Sequence, residues 1–292
     1  MRRDLERIVD TVARRVERTL LEQLRATPCT VPSEQCSGEG LCVARRPADV
    51  EAIRDAGACR VGASLGVGPV REDLARLIDH TLLSPDATRE DLTRLCEEAR
   101  RYGFASVCVN SANVRFCKQK LRGSPVMTVA VVGFPLGAME THAKAAETRQ
   151  AVRDGADEID MVINLGALKS KDYATVYDDI AAVVEAARGR PVKVIIEAGA
   201  LDHDQKVIAC ALSKAAGAAF VKTSTGFGPG GATVEDVALM RRIVGDDVGV
   251  KASGGIRDAH KAEEMIRAGA NRIGASASVA IVTGKKDTKR RY

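Results

Sequence analysis

FVKTSTGFGPGGATVEDVALMRRIVGDDVGVKASG, residues 220–254, holds one complete strand–helix–strand unit. Its two ends, FVKTS (220–224) and GVKASG (249–254), are short and apolar enough for buried strands. Between them, residues 233–244 carry apolar side chains at helical spacing, and Gly245 stands where such a helix stops. A helix returning the chain between two short buried strands is the βαβ signal of a parallel sheet. Each strand end also carries a lysine inside its apolar run, followed at once by hydroxyl residues and glycine.

The same alternation runs outward from this unit. Further strand candidates are LIDHTLL (77–83), SVCVN (106–110), MTVAVVGF (127–134), EIDMVIN (158–164), KVIIEAG (193–199) and RIGAS (272–276). Helical periodicity marks 87–102, 140–154, 173–188, 203–216 and 258–268, most closed by a glycine: Gly103, Gly155, Gly189, Gly217, Gly269. Eight βα units over residues 71–284 predict an α/β fold, a closed (β/α)8 TIM barrel. A doubly wound open sheet is the alternative, and no GxGxxG follows the first strand to favour it.

Residues 1–70 stand outside the pattern. Leu5, Ile8, Val9, Val12, Val16, Leu20 and Leu24 fall on one face of an amphipathic helix over 4–25, so 1–26 reads as a targeting or assembly segment. TPCTVPSEQCSGEG opens a linker with a short helical segment, 27–70. Within it, GACRVGAS (57–64) echoes GANRIGAS (269–276) at six of eight positions. The basic KKDTKRRY makes a C-terminal tail, 285–292.

Composition narrows the function. The chain has 292 residues, 45% of them hydrophobic, enough to fill a core. Aromatics are 3% with no Trp and the net charge is +5, which argues against a nucleic-acid surface. No apolar run is long enough for a membrane span and no secretory signal is present, so a soluble, cytoplasmic protein is expected. The eight cysteines include no CxxC pair and read as reduced thiols. The four histidines (80, 142, 203, 260) are scattered, so neither a metal nor another cofactor is expected.

Charges inside barrel strands are informative, because strand faces toward the helices are apolar and inward residues near the C-terminal ends surround the site. They are Asp79, Asp160, Lys193, Glu197, Lys222 and Lys251. Any one alone reads more readily as a buried ion pair. Lys222 and Lys251 occupy matching places on successive strands, and if both point inward, like charge and desolvation favour loss of a proton from one of them. A neutral amine can attack a carbonyl and form a Schiff base, and Asp160 can move protons directly or through water. The glycine-rich turns STGFGPGG (224–231), SGGIR (253–257) and GASAS (274–278) follow the last three strands, where barrels commonly hold phosphate.

FVKTSTGFG, GVKASGGIR, DEIDMVIN, LIDHTLL and RIGAS resemble, in order and spacing, the motifs of the deoxyribose-phosphate aldolase family of class I, lysine-dependent aldolases. The resemblance spans about 71–284. It implies reversible cleavage of 2-deoxy-D-ribose 5-phosphate to D-glyceraldehyde 3-phosphate and acetaldehyde. It further implies Lys222 as the Schiff-base lysine, Lys251 as the lysine that tunes it, and Asp160 as the acid–base group. Substrate contacts are implied at Asp79, Thr225, Gly226, Gly254, Gly255, Gly274 and Ser276. Phe227 and Ala277 stand where some members have a basic residue and a second serine, so phosphate grip rests more on backbone groups here. Tyr292 ends the chain as a tyrosine does in relatives where it reaches the site. The alternatives are another class I phosphosugar aldolase on the same barrel and a non-catalytic sugar-phosphate-binding barrel. A homo-oligomer is expected, with no nucleic acid or membrane partner. Residues 1–25 resemble encapsulation peptides, which implies a bacterial microcompartment shell protein as partner.

Overall fold

The computed structural model describes residues 74–284. The amphipathic helix 4–25, the linker 27–70 with its GACRVGAS echo, and the tail 285–292 with Tyr292 lie outside the described residues. So do Cys29, Cys36, Cys42 and Cys59; the other four cysteines, Cys96, Cys108, Cys117 and Cys210, are buried free thiols.

Eight parallel strands close into a barrel in sequence order, β8 pairing back onto β1. They are β1 (Ile78–Leu82), β2 (Ser106–Asn110), β3 (Met127–Val132), β4 (Glu158–Val162), β5 (Val192–Ile195), β6 (Phe220–Lys222), β7 (Gly249–Ser253) and β8 (Arg272–Ala275). The described helices are α1 (Arg89–Tyr102), α2 (Val114–Lys120), α3 (Thr141–Asp154), α4 (Leu165–Lys169), α5 (Tyr173–Ala186), α6 (His203–Ala215), α7 (Val234–Val244), α8 (Ala259–Arg267) and α9 (Ser278–Thr283). The barrel expected from the alternation is therefore the fold observed. Strand ends trim the expected ranges by a few residues, because the closing residues of KVIIEAG and FVKTS turn into the loops that build the site. Helices α2 and α4 escaped the periodicity argument, being too short to show an apolar stripe.

Local chemistry sets the helix bounds. Thr88 and Asp91 form a reciprocal capping box at the start of α1, and Asp202 with Gln205 does the same for α6. Gly103 and Gly155 end α1 and α3 in the left-handed region. After α5, α6 and α8 the expected glycine instead follows an alanine cap.

Strand alternation divides the core into two unequal parts. Ile78, Val107, Ala130, Ile159, Met161, Val194, Val221, Val250 and Ile273 belong to the large apolar cluster shared with the helices. Residues of the other parity point into the barrel, where Cys108, Val129 and Val131 form a separate small cluster with Leu83 and Phe134. On β4 to β8 the inward positions include Glu158, Asp160, Lys193, Lys222, Lys251 and Arg272. Phe220 lies at the end of β6, its ring close to Lys193 and Arg272 (5.8 and 5.6 Å). Gly249 leaves room for it, since a Cβ there would lie 2.2 Å from the ring.

A second buried ion pair ties α3 to α5. Lys144 donates to Asp179 at 2.5 Å and to the Val162 carbonyl at 3.0 Å, with both side chains fully buried. Burial pushes the Asp179 carboxyl up despite Lys144. Lys144→Met is expected to cost about 3–5 kcal/mol in denaturant unfolding at neutral pH, because it leaves a buried carboxylate without its cation. A raised carboxyl pKa opposes folding above that pKa, so the loss should shrink as acid protonates Asp179. Replacing both residues with apolar ones should cost less than Lys144→Met alone.

Candidate active site

Strand register brings the charged residues together. Lys222 is level with Lys251 across β6 and β7, Lys251 with Arg272 across β7 and β8, and Asp160 with Lys193 across β4 and β5. Asp79 is level with Ser106 on one side and Gly274 on the other. All these charged side chains are buried or nearly so.

Five of them, together with Glu158, form a closed ring of alternating charge. Arg272 donates to Asp79 at 2.7 Å, and the other Asp79 oxygen lies 2.5 Å from Lys251 Nζ. Lys251 donates to Asp160 at 2.7 Å, and Lys193 to the other Asp160 oxygen at 2.8 Å. Lys193 also lies 2.6 Å from Glu158, whose second oxygen accepts from Arg272 at 3.1 Å and completes the circuit. Lys222 is attached from outside. It donates at 2.9 Å to Asp160 Oδ2, the same oxygen that Lys251 uses.

The two lysines foreseen as neighbours thus meet on one carboxylate oxygen. Desolvation opposes ionisation of Asp160, but Lys193, Lys222 and Lys251 together hold its carboxyl well below the usual range. Desolvation is likewise outweighed at Asp79, whose carboxyl Lys251, Lys193 and Arg272 keep low. The lysines and arginine of the ring respond in the opposite sense: against desolvation, Asp160 and Asp79 push Lys251 up and stabilise its charge. Lys193 and Arg272 are raised by the same play of burial against carboxylates.

Opposite the ring, the wall is apolar. The Cys108 thiol faces Lys251, Asp160 and Lys222, and burial pushes it up to about 11, so it is neutral. With Leu83, Val129, Val131 and Phe134 it makes an apolar surface beside Lys222 and Lys251.

The expected substrate residues fall into two groups. Asp79 lies in the ring, where Arg272, Lys251 and Ser106 take up its carboxylate. Gly274 has a spatial duty, as a Cβ there would come within 3.0 Å of Lys251 Cε. The Thr225 hydroxyl donates to Glu197 at 2.5 Å and accepts from the Phe227 and Gly228 amides, which shapes the loop after β6. Gly226, Gly254 and Gly255 adopt positive φ (87, 89 and 77°) in the turns after β6 and β7, with Gly226 and Gly255 exposed. Ser276 follows β8, half-buried. Phe227 is 45% exposed and meets Phe134 edge to face, ring centres 5.4 Å apart.

Glu158 and Arg272 were not singled out from the sequence. Glu158 lies two residues before Asp160, so strand parity alone puts it on the same inward face. Arg272 opens β8, and only the β7–β8 register aligns it with Lys251. Among the described residues no cluster of His, Cys, Asp and Glu could hold a metal, and no helix is long and apolar enough to cross a membrane.

Known proteins resemble this chain in sequence and fold. The deoxyribose-phosphate aldolase of Clostridium novyi (strain NT) is 58% identical over 221 residues, covering 75% of this chain and 100% of its own length. That of Thermococcus kodakarensis is 58% identical over 221 residues, covering 74% and 99%. A solved tetrameric deoxyribose phosphate aldolase from Aeropyrum pernix superposes with a TM-score of 0.69 at 36% identity, covering 73% of this chain and 90% of that one. Residues 74–287, the whole barrel, match the model of the DeoC/LacD family aldolases, and the chain belongs to that family.

Proposed function

We propose that the chain catalyses the reversible cleavage of 2-deoxy-D-ribose 5-phosphate to D-glyceraldehyde 3-phosphate and acetaldehyde, with Lys222 as the Schiff-base lysine. The observation that carries this reading is the pairing of Lys222 with Lys251 on one oxygen of Asp160. The similarity to deoxyribose-phosphate aldolases supports the choice of substrate.

The chemistry follows from the positions. Lys222, bound to one carboxylate where the ring cations hold two, is the amine free to attack the C1 aldehyde. The carbinolamine loses water to give an iminium at C1, with Lys251, charged and beside Lys222, as proton donor to the departing oxygen. Loss of the C3 hydroxyl proton breaks the C2–C3 bond, and the electron pair moves into the iminium as an enamine. Glyceraldehyde 3-phosphate leaves, C2 takes up a proton, and hydrolysis frees acetaldehyde and Lys222. Asp160 is too weak a base to keep a proton, so it serves as a relay between substrate oxygen, water and the lysines. The apolar wall at Cys108, Val129 and Val131 suits the two-carbon donor, and the turns at Gly226, Gly254, Gly255 and Ser276 suit the phosphate through backbone N–H groups.

The tetrameric relative from Aeropyrum pernix supports a homo-oligomeric assembly here as well. Residues 1–26 are then either an assembly element or a tag for a microcompartment shell.

Trapping with acetaldehyde and borohydride should add a single ethyl group, mapped to Lys222 by peptide mass; an adduct on Lys193 or Lys251 would reverse the assignment. Lys222→Arg should give no adduct and no turnover, because guanidinium stays protonated. Asp160→Asn should lower kcat by about 10² or more while some trapping persists, and near-normal turnover would remove Asp160 from the mechanism. Deletion of 1–26 should leave kcat intact; a fall in native mass would assign the segment to assembly, and loss of shell co-purification would assign it to targeting.

A further inference from the structure

We propose that Arg272 and Glu158, whose own bonds go to Asp79, Lys193 and each other, set the pH at which Lys222 reacts by fixing the net charge of the ring beneath it. The inference rests on the Schiff-base reading above and extends it to two positioning residues below the reacting atoms.

The ring holds three cations, Lys193, Lys251 and Arg272, and three carboxylates, Asp79, Glu158 and Asp160. Its charges cancel. Protonated Lys222 adds one unpaired positive charge to a water-poor interior, where net charge is costly. Its proton is therefore the one whose departure restores neutrality, and Lys222 is also the cation with a single carboxylate partner.

No other strand alters the count. Around Lys222, β1 contributes Asp79 and β2 the neutral Cys108 thiol. From β3 come only Val129 and Val131. The remaining strands supply Glu158 and Asp160 (β4), Lys193 (β5), Lys251 (β7) and Arg272 (β8). Beyond β5, the Glu197 carboxylate accepts from the Thr225 amide and hydroxyl and is not a member of the ring.

Changing the ring's charge should therefore move Lys222's reactivity in either direction without touching it. Arg272→Met leaves two cations against three carboxylates, so Lys222 must stay protonated to balance them. Glu158→Gln leaves three against two, and protonated Lys222 then raises the excess to two.

The test uses the full chain and neutral acetaldehyde, which adds no charge of its own. Adducts are reduced with cyanoborohydride and read by intact mass across a pH series. We expect the midpoint of adduct formation to rise by about one pH unit or more in Arg272→Met and to fall by a similar amount in Glu158→Gln. Arg272→Lys, which keeps the charge, should stay near the wild-type midpoint, and the double variant should return toward it. A purely structural role would lower the folded fraction but leave both midpoints in place or shift them the same way, and either result overturns the proposal. If Arg272→Met does not fold, Glu158→Gln decides alone: a lower midpoint supports the proposal and an unmoved one overturns it. No trapping in the wild type overturns the Schiff-base reading and this inference with it, whereas trapping with unmoved midpoints overturns the inference alone.

Discussion

Charge balance inside a closed barrel is the constraint on which the rest of the site depends. Seven ionisable groups, Asp79, Glu158, Asp160, Lys193, Lys222, Lys251 and Arg272, share an interior that water barely reaches. Separately, each would cost several kcal/mol to bury. Six of them alternate in sign around a closed circuit, so each ring charge faces two of the opposite sign. The seventh, Lys222, is left with one carboxylate partner, and that asymmetry is what the proposed Schiff-base role rests on.

The surrounding architecture serves this circuit. Barrel closure puts β8 beside β1, and without that pairing Arg272 could not reach Asp79. Below the ring, Phe220 presents its ring to Lys193 and Arg272, in space that the missing side chain of Gly249 provides. Gly274 does for Lys251 what Gly249 does for Phe220. Outside the strands the apolar cluster shared with the helices supplies the hydrophobic stabilisation that offsets a charged interior.

The interior is also divided by side. Charges occupy β1 and β4 to β8, while Cys108 of β2 and Val129 and Val131 of β3 make an apolar patch beside them. On the proposed reading, such a division would let a small aldehyde rest against the apolar patch while its carbonyl carbon faces the lysines. On that reading the anionic end of the phosphosugar would fall to the exposed turns at Gly226 and Gly255. Phe227, packed edge to face on Phe134, puts an apolar ring at that end, so phosphate would be held by amides more than by a side-chain cation.

Much of this was legible in the sequence, because strand and helix periods are local and the βα alternation repeats eight times. The inward lysines and Asp160 could be read as charges misplaced in apolar strands, and Gly103 and Gly155 as helix C-caps. What the sequence could not decide was pairing. Whether Lys222 and Lys251 share an oxygen depends on the β6–β7 register, and whether Asp79 touches substrate or supports Lys251 depends on how β1 meets β8. Glu158 and Arg272 are 114 residues apart and their bond exists only once the barrel closes. Composition and periodicity are properties of neighbours along the chain and so determined the elements and their order; charge balance is a sum over residues from six strands, and only the tertiary structure performs that sum.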